Sequence, residues 1–264
     1  MLAALRQAKI LEEVRRTGGA KVSTLTEILG VSDMTIRRDL DALDSRGLLT
    51  KVHGGATIIE HASAVEPEFE AKSLREPDEK ATIAARAAEL VTPGMAIAIS
   101  AGTTTWALAH HLFEVPNLTV VTNSIKVAEV LHTHTRPHLT VVLTGGERTP
   151  SGGLVGPVAV QSLKSLHVDL AFMGVYGFDL EAGLTTPNIT EAETNRAMVD
   201  AARQLVILAD HTKWGAVGFA QIAPLSAVGT LVVDDSLAEP ARDALREHVG
   251  ELVVAGRAAA ADAS

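Results

Sequence analysis

The sequence contains no cysteine among its 264 residues. That excludes disulfide bridges and thiolate metal sites, and it fits a chain that works in a reducing cytoplasm. No apolar run reaches membrane-spanning length, and the N-terminus lacks the charged-then-apolar pattern of a signal peptide. The expectation is therefore a cytoplasmic protein with no membrane partner. No internal repeat of fixed period is visible. Positive charge is also scarce, and a formal net charge of -9 looks unsuited to binding a polyanion. The deficit is uneven, however. Residues 1–60 carry nine Lys or Arg against eight Asp or Glu, while the rest of the chain carries 14 against 24. The near-neutral N-terminal part predicts modest nonspecific affinity for nucleic acid, helped if two such parts act together in a dimer.

What is present begins with Val31-Ser-Asp-Met-Thr-Ile-Arg-Arg-Asp-Leu40. Ser32 is a good N-cap, because its hydroxyl accepts from an otherwise unpaired amide of the first helical turn. Ile36, Leu40 and Leu43 follow at i, i+4 and i+7, one apolar stripe of a helix. Thr35, Arg37 and Arg38 point away from that stripe, near the helix start. Such a helix suits insertion into a DNA major groove, where arginine pairs with a guanine edge or holds a phosphate. An ordinary solvated helix face is the plainer alternative.

The neighbours favour DNA. Upstream, a helix with Ile10, Leu11 and Val14 on its apolar side ends at Gly18-Gly19. Thr24-Leu-Thr-Glu27 has capping-box spacing and predicts a short helix through Leu29, with Gly30 supplying the turn. Downstream, Leu48 to Val52 reads as a strand and His53-Gly-Gly-Ala56 as a tight turn, together a wing. Lys51 and His53 would stand beside the DNA.

Val31-Ser-x-x-Thr-Ile-Arg-Arg-Asp-Leu40 followed by His53-Gly-Gly-Ala56 closely resembles the N-terminal signature of the DeoR/GlpR family of bacterial transcriptional repressors. Where that family often has Arg before the turn, this chain has Lys51-Val52, which keeps a charge but loses bidentate geometry. The resemblance continues through Phe69 and Glu79-Lys80, with Lys72 where Arg is usual. The predicted organisation is a winged helix-turn-helix over 1–58, a linker over 59–78, a second domain over 79–256 and an Ala-rich tail over 257–264. Pro77 sits where a first helical turn tolerates it, and a helix is predicted over 79–91 with Ile83, Ala87, Leu90 and Val91 buried.

Beyond residue 94, short aliphatic runs at 95–100, 118–122, 139–143, 169–174, 204–209 and 230–233 read as strands. Helices are predicted between them at 105–113, 124–132, 158–166, 190–203 and 238–247. Near-continuous aliphatic strands separated by helices predict a mainly parallel α/β domain, its sheet covered on both faces. Ligands of such sheets sit at the carboxyl ends of the strands. Here those ends read Ser100-Ala-Gly-Thr-Thr-Thr105, Thr122-Asn-Ser124, Thr144-Gly-Gly-Glu147, Gly174-Val-Tyr-Gly177 and Asp210-His-Thr-Lys213. Small residues let a ligand approach the backbone, hydroxyls and amides offer hydrogen bonds, and Lys213 offers a charge. Gly102-Thr-Thr-Thr105 opens a helix after a strand, a place that favours an anion such as phosphate. It is neither a P-loop nor a Gly-x-Gly-x-x-Gly turn, and Ser151-Gly-Gly153 lacks the setting of a hydrolase nucleophile.

These blocks also resemble the family, in order, along with Glu191-Ala192 and the Asp169-x-Ala-Phe-x-Gly174 segment. The resemblance implies an effector domain similar in fold to ribose-5-phosphate isomerase that binds phosphorylated sugars or related metabolites. It implies that Gly102, Thr103 and Thr104 hold a phosphate, and that Thr122, Asn123, Gly145, Asp169, Gly174 and Lys213 surround the sugar. Ser100-Ala101 stands where the family often has an acidic residue. The implied partners are double-stranded operator DNA, a phosphorylated sugar and a second copy or more of the chain, as homodimer or homotetramer. No cofactor, metal or catalytic residue is implied.

A different class stays open: a sugar-phosphate isomerase carrying a DNA-binding appendage, with Asp169, Glu191 and Lys213 as acid, base and electrostatic stabiliser. His132, His134 and His138 are read as solvated loop histidines rather than metal ligands, and His110-His111 as an exposed helix face. Trp106 and Trp214 each follow a site loop, where they pack on a ligand or join the core.

Overall fold

A computed structural model of the chain describes residues 3–17, 19–45, 49–52, 54–57, 69–133 and 138–256. His53, His134, residues 59–68 of the expected linker and the expected tail lie outside the described residues. Contacts divide the chain into two units, Met1–Ala62 and Ser63–Ser264.

In the first unit, α1 (Ala3–Thr17) leads through β1 (Gly19–Lys21) to α2 (Val22–Leu29) and α3 (Asp33–Ser45), then to β2 (Thr50–Val52) and β3 (Gly55–Thr57). Ile10 and Val14 of α1, Val22, Leu25 and Leu29 of α2, and Ile36, Leu40 and Leu43 of α3 close one core with Leu49 and Ala56. Gly30 takes φ 64°, the left-handed conformation a helix C-cap needs, and its amide donates to the Thr26 carbonyl at 2.9 Å. Two expectations need correction. The wing has three strands, in the antiparallel order β1-β3-β2, because a strand too short to show a pattern precedes α2. And α2 begins at Val22, not after a Thr24 cap. The Val22 amide donates to the Gly54 carbonyl at 2.9 Å, so the wing itself satisfies the helix start, while the Thr26 hydroxyl turns back to the Val22 carbonyl.

The second unit runs α4 (Phe69–Ser73), α5 (Pro77–Ala88), β4 (Ala96–Ile99), α6 (Thr103–Ala109), β5 (Leu118–Thr122), α7 (Ile125–Thr133) and β6 (Leu139–Leu143). The chain continues through β7 (Glu147–Arg148), β8 (Leu154–Val155), α8 (Pro157–Lys164), β9 (Val168–Gly174), β10 (Gly177–Asp179) and β11 (Gly183–Thr186). It ends with α9 (Ile189–Ala201), β12 (Ala202–Leu208), β13 (Ala220–Ala223), β14 (Val228–Asp234), α10 (Glu239–Arg246) and β15 (Glu251–Ala255). All six predicted strands join one seven-stranded parallel sheet, ordered β15-β14-β12-β9-β4-β5-β6. Alternate residues of its strands face two separate cores. Ala98, Val121, Ala171 and Met173 pack with Leu163 of α8, Met198 of α9 and Leu245 of α10. Ile97, Ile99, Val120 and Phe172 pack with Ile83 of α5, Leu108 of α6 and Val127 of α7. This is a doubly wound α/β unit, as expected. An edge strand (β15), a small antiparallel sheet ordered β10-β11-β13 and the β7-β8 pair were not predicted.

The chain starts the sheet in the middle, at β4, moves outward through β5 and β6, and returns to the other side of β4 with β9. The carboxyl ends of β4 and β9 therefore flank the topological switch point, where an open sheet leaves a crevice.

Candidate functional site

The DNA-reading candidates stand on α3. The Ser32 hydroxyl accepts from the Thr35 amide at 3.3 Å and lies 2.9 Å from the Thr35 hydroxyl, so it caps the helix as expected. With Ile36, Leu40 and Leu43 fully buried, Arg37 and Arg38 are exposed on the other face and Thr35 is half-buried. Arg37 is gripped by Asp33, one turn earlier, through both Nε and Nη2. Arg38 has no ion-pair partner among the described residues. Lys51 on β2 pairs with Asp41, and its amide donates to Asp44 at 3.1 Å, which fixes the wing to the end of α3. Asp39, adjacent to the arginine pair, is buried, and it receives Arg6 and Gln7 of α1. The motif thus carries two exposed cations and one buried anion that ties α3 to α1. A buried Asp on the core-facing side of an amphipathic helix was the available signal for that anchor.

The effector candidates assemble around the switch point, with exceptions. The Ser100 hydroxyl accepts from the Gly174 amide at 3.1 Å, which ties β4 to β9 just where both strands end. Gly102 sits beside Gly174, and α6 starts there. Thr103 and Thr104 are 9% and 6% exposed, and neither hydroxyl makes a hydrogen bond among the described residues. Neither hydroxyl is among the buried side-chain atoms that lack a partner, so both are reachable from outside the protein. The first amides of α6 have no acceptor within their own helix either. Thr105 differs, since its hydroxyl donates to the Gly102 carbonyl.

Thr122 and Asn123 brace this turn rather than face a ligand. The Thr122 hydroxyl donates to the Ile99 carbonyl at 2.7 Å and accepts from the Ser124 amide at 3.0 Å. The Asn123 side chain accepts from the Ala101 amide at 2.8 Å and donates to the Leu154 carbonyl at 3.1 Å. Gly145 takes φ 72° in the loop after β6, next to Val158. Asp169 is a correction. It stands at the start of β9, where it accepts from the Ala96 amide at 2.9 Å and lies 3.8 Å from Arg203, so it is at the amino-terminal edge of the sheet. It is at the wrong end of the strands for the crevice, and the Asp169, Glu191 and Lys213 constellation of an isomerase does not form.

Lys213 lies in the short turn His211–Lys213 that follows β12, at the same edge as Gly102. The Asp210 carboxylate, buried, caps that turn through the Thr212 amide and hydroxyl. The His211 ring lies 2.9 Å from buried Asp234, and that hydrogen bond holds the imidazole above its ordinary range despite its burial. Sequence reasoning missed Lys80 as part of this setting. Lys80 shares the buried face of α5 with Ala84 and Ala87, and its ammonium donates to the Lys72 carbonyl at 2.8 Å and to that of Arg75. Burial lowers its pKa to about 8, helped by Lys213 and Arg75 and opposed by Asp210 and Glu76. A lysine interrupting an apolar helical stripe was the signal.

Both tryptophans join the protein's own packing. Trp106 meets Phe69 of α4 edge-on at 6.0 Å, and Trp214 packs on Phe178 at 5.5 Å. Phe69 also lies under the Lys126 ammonium at 4.5 Å, which pins a five-residue helix that has too little periodicity to predict. His110 and His111 are exposed, as expected, but they lie in the turn after α6 rather than on a helix face, because the helix ends at Ala109. Among the described residues no group of side chains is arranged to hold a metal ion, and no helix is long and apolar enough to cross a membrane.

A winged helix and a doubly wound α/β unit with a polar crevice, in one chain, define a two-part transcriptional regulator: a reading head and a sensor. Residues 6–62 match the DeoR-like helix-turn-helix domain and residues 75–235 the DeoR C terminal sensor domain, and the chain belongs to the DeoR family. It is 36% identical to the HTH-type transcriptional regulator GlpR of Haloferax volcanii, over 97% of this chain and 99% of that one. It is 31% identical to the glycerol-3-phosphate regulon repressor of Escherichia coli, over 87% and 90%. Among solved structures, ribose 5-phosphate isomerase A of Methanocaldococcus jannaschii aligns at TM-score 0.39 and 19% identity, over 52% of this chain and 54% of that one. The strand order, not that likeness, establishes the α/β fold.

Proposed function

We propose that this protein is a cytoplasmic repressor of carbohydrate-metabolism genes whose operator binding is modulated by a phosphorylated sugar. Thr35, Arg37 and Arg38 read the operator, with Ser32, Lys51 and His53 on its phosphates. A homodimer or homotetramer presents two heads to half-sites about one helical turn, ~34 Å, or a multiple of it apart. The effector's phosphate takes the amides and hydroxyls at Gly102, Thr103 and Thr104, with Gly174 beside it and Lys213 supplying charge. The body senses its ligand without turning it over. The observation that carries this reading is the pair of solvent-reachable hydroxyls, on the otherwise buried Thr103 and Thr104, that make no hydrogen bond among the described residues at the switch point. The relative named for a glycerol-3-phosphate regulon fits a phosphorylated effector.

A mobility shift on DNA upstream of the protein's own gene, with and without a panel of sugar phosphates, tests the reading. A sequence-specific complex is expected, and Arg38→Ala is expected to weaken it by roughly 1–3 kcal/mol. No specific complex at low salt under any condition would falsify it.

A further inference from the structure

The first turn of α9 faces the loop between β7 and β8 across a set of hydroxyls. Asn188 caps α9, its Oδ1 accepting from the amides of Thr190 and Glu191 at 2.9 and 3.2 Å. Glu191 reaches away from that cap. One carboxylate oxygen accepts the Thr186 hydroxyl at 2.6 Å and the other accepts that of Ser151 at 3.4 Å. Ser151 lies 2.8 Å from the Thr149 hydroxyl, which accepts from the Gly153 amide at 3.2 Å. Gly153 is pressed against the start of the switch-point turn: a Cβ there would stand 3.1 Å from the Ala101 Cβ and 3.7 Å from the Asn123 amide nitrogen. An unbroken path of contacts therefore leads from Glu191 to the turn that opens α6. Ser151, Thr149 and Thr186 are buried, and Glu191 is the half-buried residue of the set. Four residues along α9, on the same side of the helix, Asn195 is 4% exposed and its side-chain amide makes no hydrogen bond among the described residues.

The chemistry of these groups is specific. An ionised carboxylate only accepts hydrogen bonds and has about four positions to do so, while an amide both donates and accepts. A contact of 3.4 Å is long for O–H···O, so the Ser151 bond is the weaker of the two hydroxyl contacts to this carboxylate. A ligand hydroxyl donating to the carboxylate makes a charge-assisted bond. A second anionic group on the ligand would instead be repelled.

We propose that Glu191, with Asn195 beside it, is the specificity-determining residue of the sensor site and selects phosphorylated polyols or sugars that present free hydroxyls beyond the phosphate. The inference rests on the phosphate position proposed at Gly102–Thr104. The cleft is then divided by charge, with the anion at the amides of α6 and the hydroxyls at the first turn of α9.

Calorimetric titration of the full chain tests this with four probes: inorganic phosphate, n-propyl phosphate, glycerol 3-phosphate and ribose 5-phosphate. The wild type is expected to prefer at least one hydroxylated phosphate over propyl phosphate by about tenfold, the value of one charge-assisted bond. Glu191→Gln, nearly isosteric, is expected to erase most of that preference while leaving propyl phosphate and inorganic phosphate binding unchanged. A residue that merely buttressed the loop would lower the melting temperature and weaken all four probes alike. If Glu191→Gln fails to fold, Asn195→Ala carries the same expectation at a smaller size. A wild type without the preference, or a Glu191→Gln variant that keeps it, overturns the proposal. Thr103→Glu separates the two readings: inorganic phosphate binding that survives it removes the phosphate from the α6 turn, whatever Glu191 does to selectivity.

Discussion

Arg37 spends its guanidinium on Asp33, while Arg38, one residue on, has no ion-pair partner among the described residues. In the proposed complex Arg37 would divide its guanidinium between Asp33 and DNA, so its net contribution would be smaller than that of Arg38. Asp33→Asn is accordingly expected to raise operator affinity several-fold and to steepen its salt dependence, measured by fluorescence anisotropy against salt concentration. Unchanged affinity would remove Arg37 from the interface. Lys80 gives a second residue-scale expectation. Its folded pKa of about 8 lies below the 10.5 of the unfolded chain, so between those values the unfolded chain binds the extra proton. Stability should therefore rise with pH from about 8 to about 10.5, by up to ~3 kcal/mol, and the cost of the buried charge should stand in full below pH 8. Comparing urea unfolding of wild type and Lys80→Met across that range isolates the effect, because the variant should lack the rise. At this scale the sequence was legible where a residue's neighbours along the chain decide its conformation, as for the Ser32 cap and the Gly30 turn. It was silent where partners are distant, as for Asp39 with Arg6 or Thr122 with Ile99. Asp169 shows the danger of placing a motif as a block: its strand is right, but its end of the strand is not.

Elements were read from periodicity, and those with enough of it were found. The six aliphatic strands and the helices between them fall within a few residues of their predicted places. α4 has five residues with Phe69 as its one large apolar side chain, β1 has three residues, β10 and β11 are short and each opens on glycine, and β13 is four residues long, so pattern alone could not reveal them. The α2 start shows tertiary structure overriding a local signal, since the Gly54 carbonyl does what a Thr24 cap was expected to do. The α3 cap, by contrast, is local and exposed. Ser32→Ala is expected to cost about 1 kcal/mol of stability, seen as a lower urea midpoint for the N-terminal unit at unchanged slope. No loss would mean that the Thr35 hydroxyl takes over the capping.

Over the whole molecule the acidic excess lies outside the first 60 residues. A near-neutral head predicts weak nonspecific binding, so in the proposed oligomer specificity would rest on paired heads and on whatever sets their spacing. The account's central claim is that the turn at Gly102–Thr104 governs that spacing through the ligand it holds. The most direct measurement is operator affinity as a function of sugar-phosphate concentration, taken in parallel on wild type and on Thr103→Glu with its melting temperature as a fold control. The account predicts that the wild type shifts its operator affinity with at least one sugar phosphate, while Thr103→Glu binds the operator equally well and ignores the ligand. A folded Thr103→Glu protein that still responds at wild-type concentrations would contradict it.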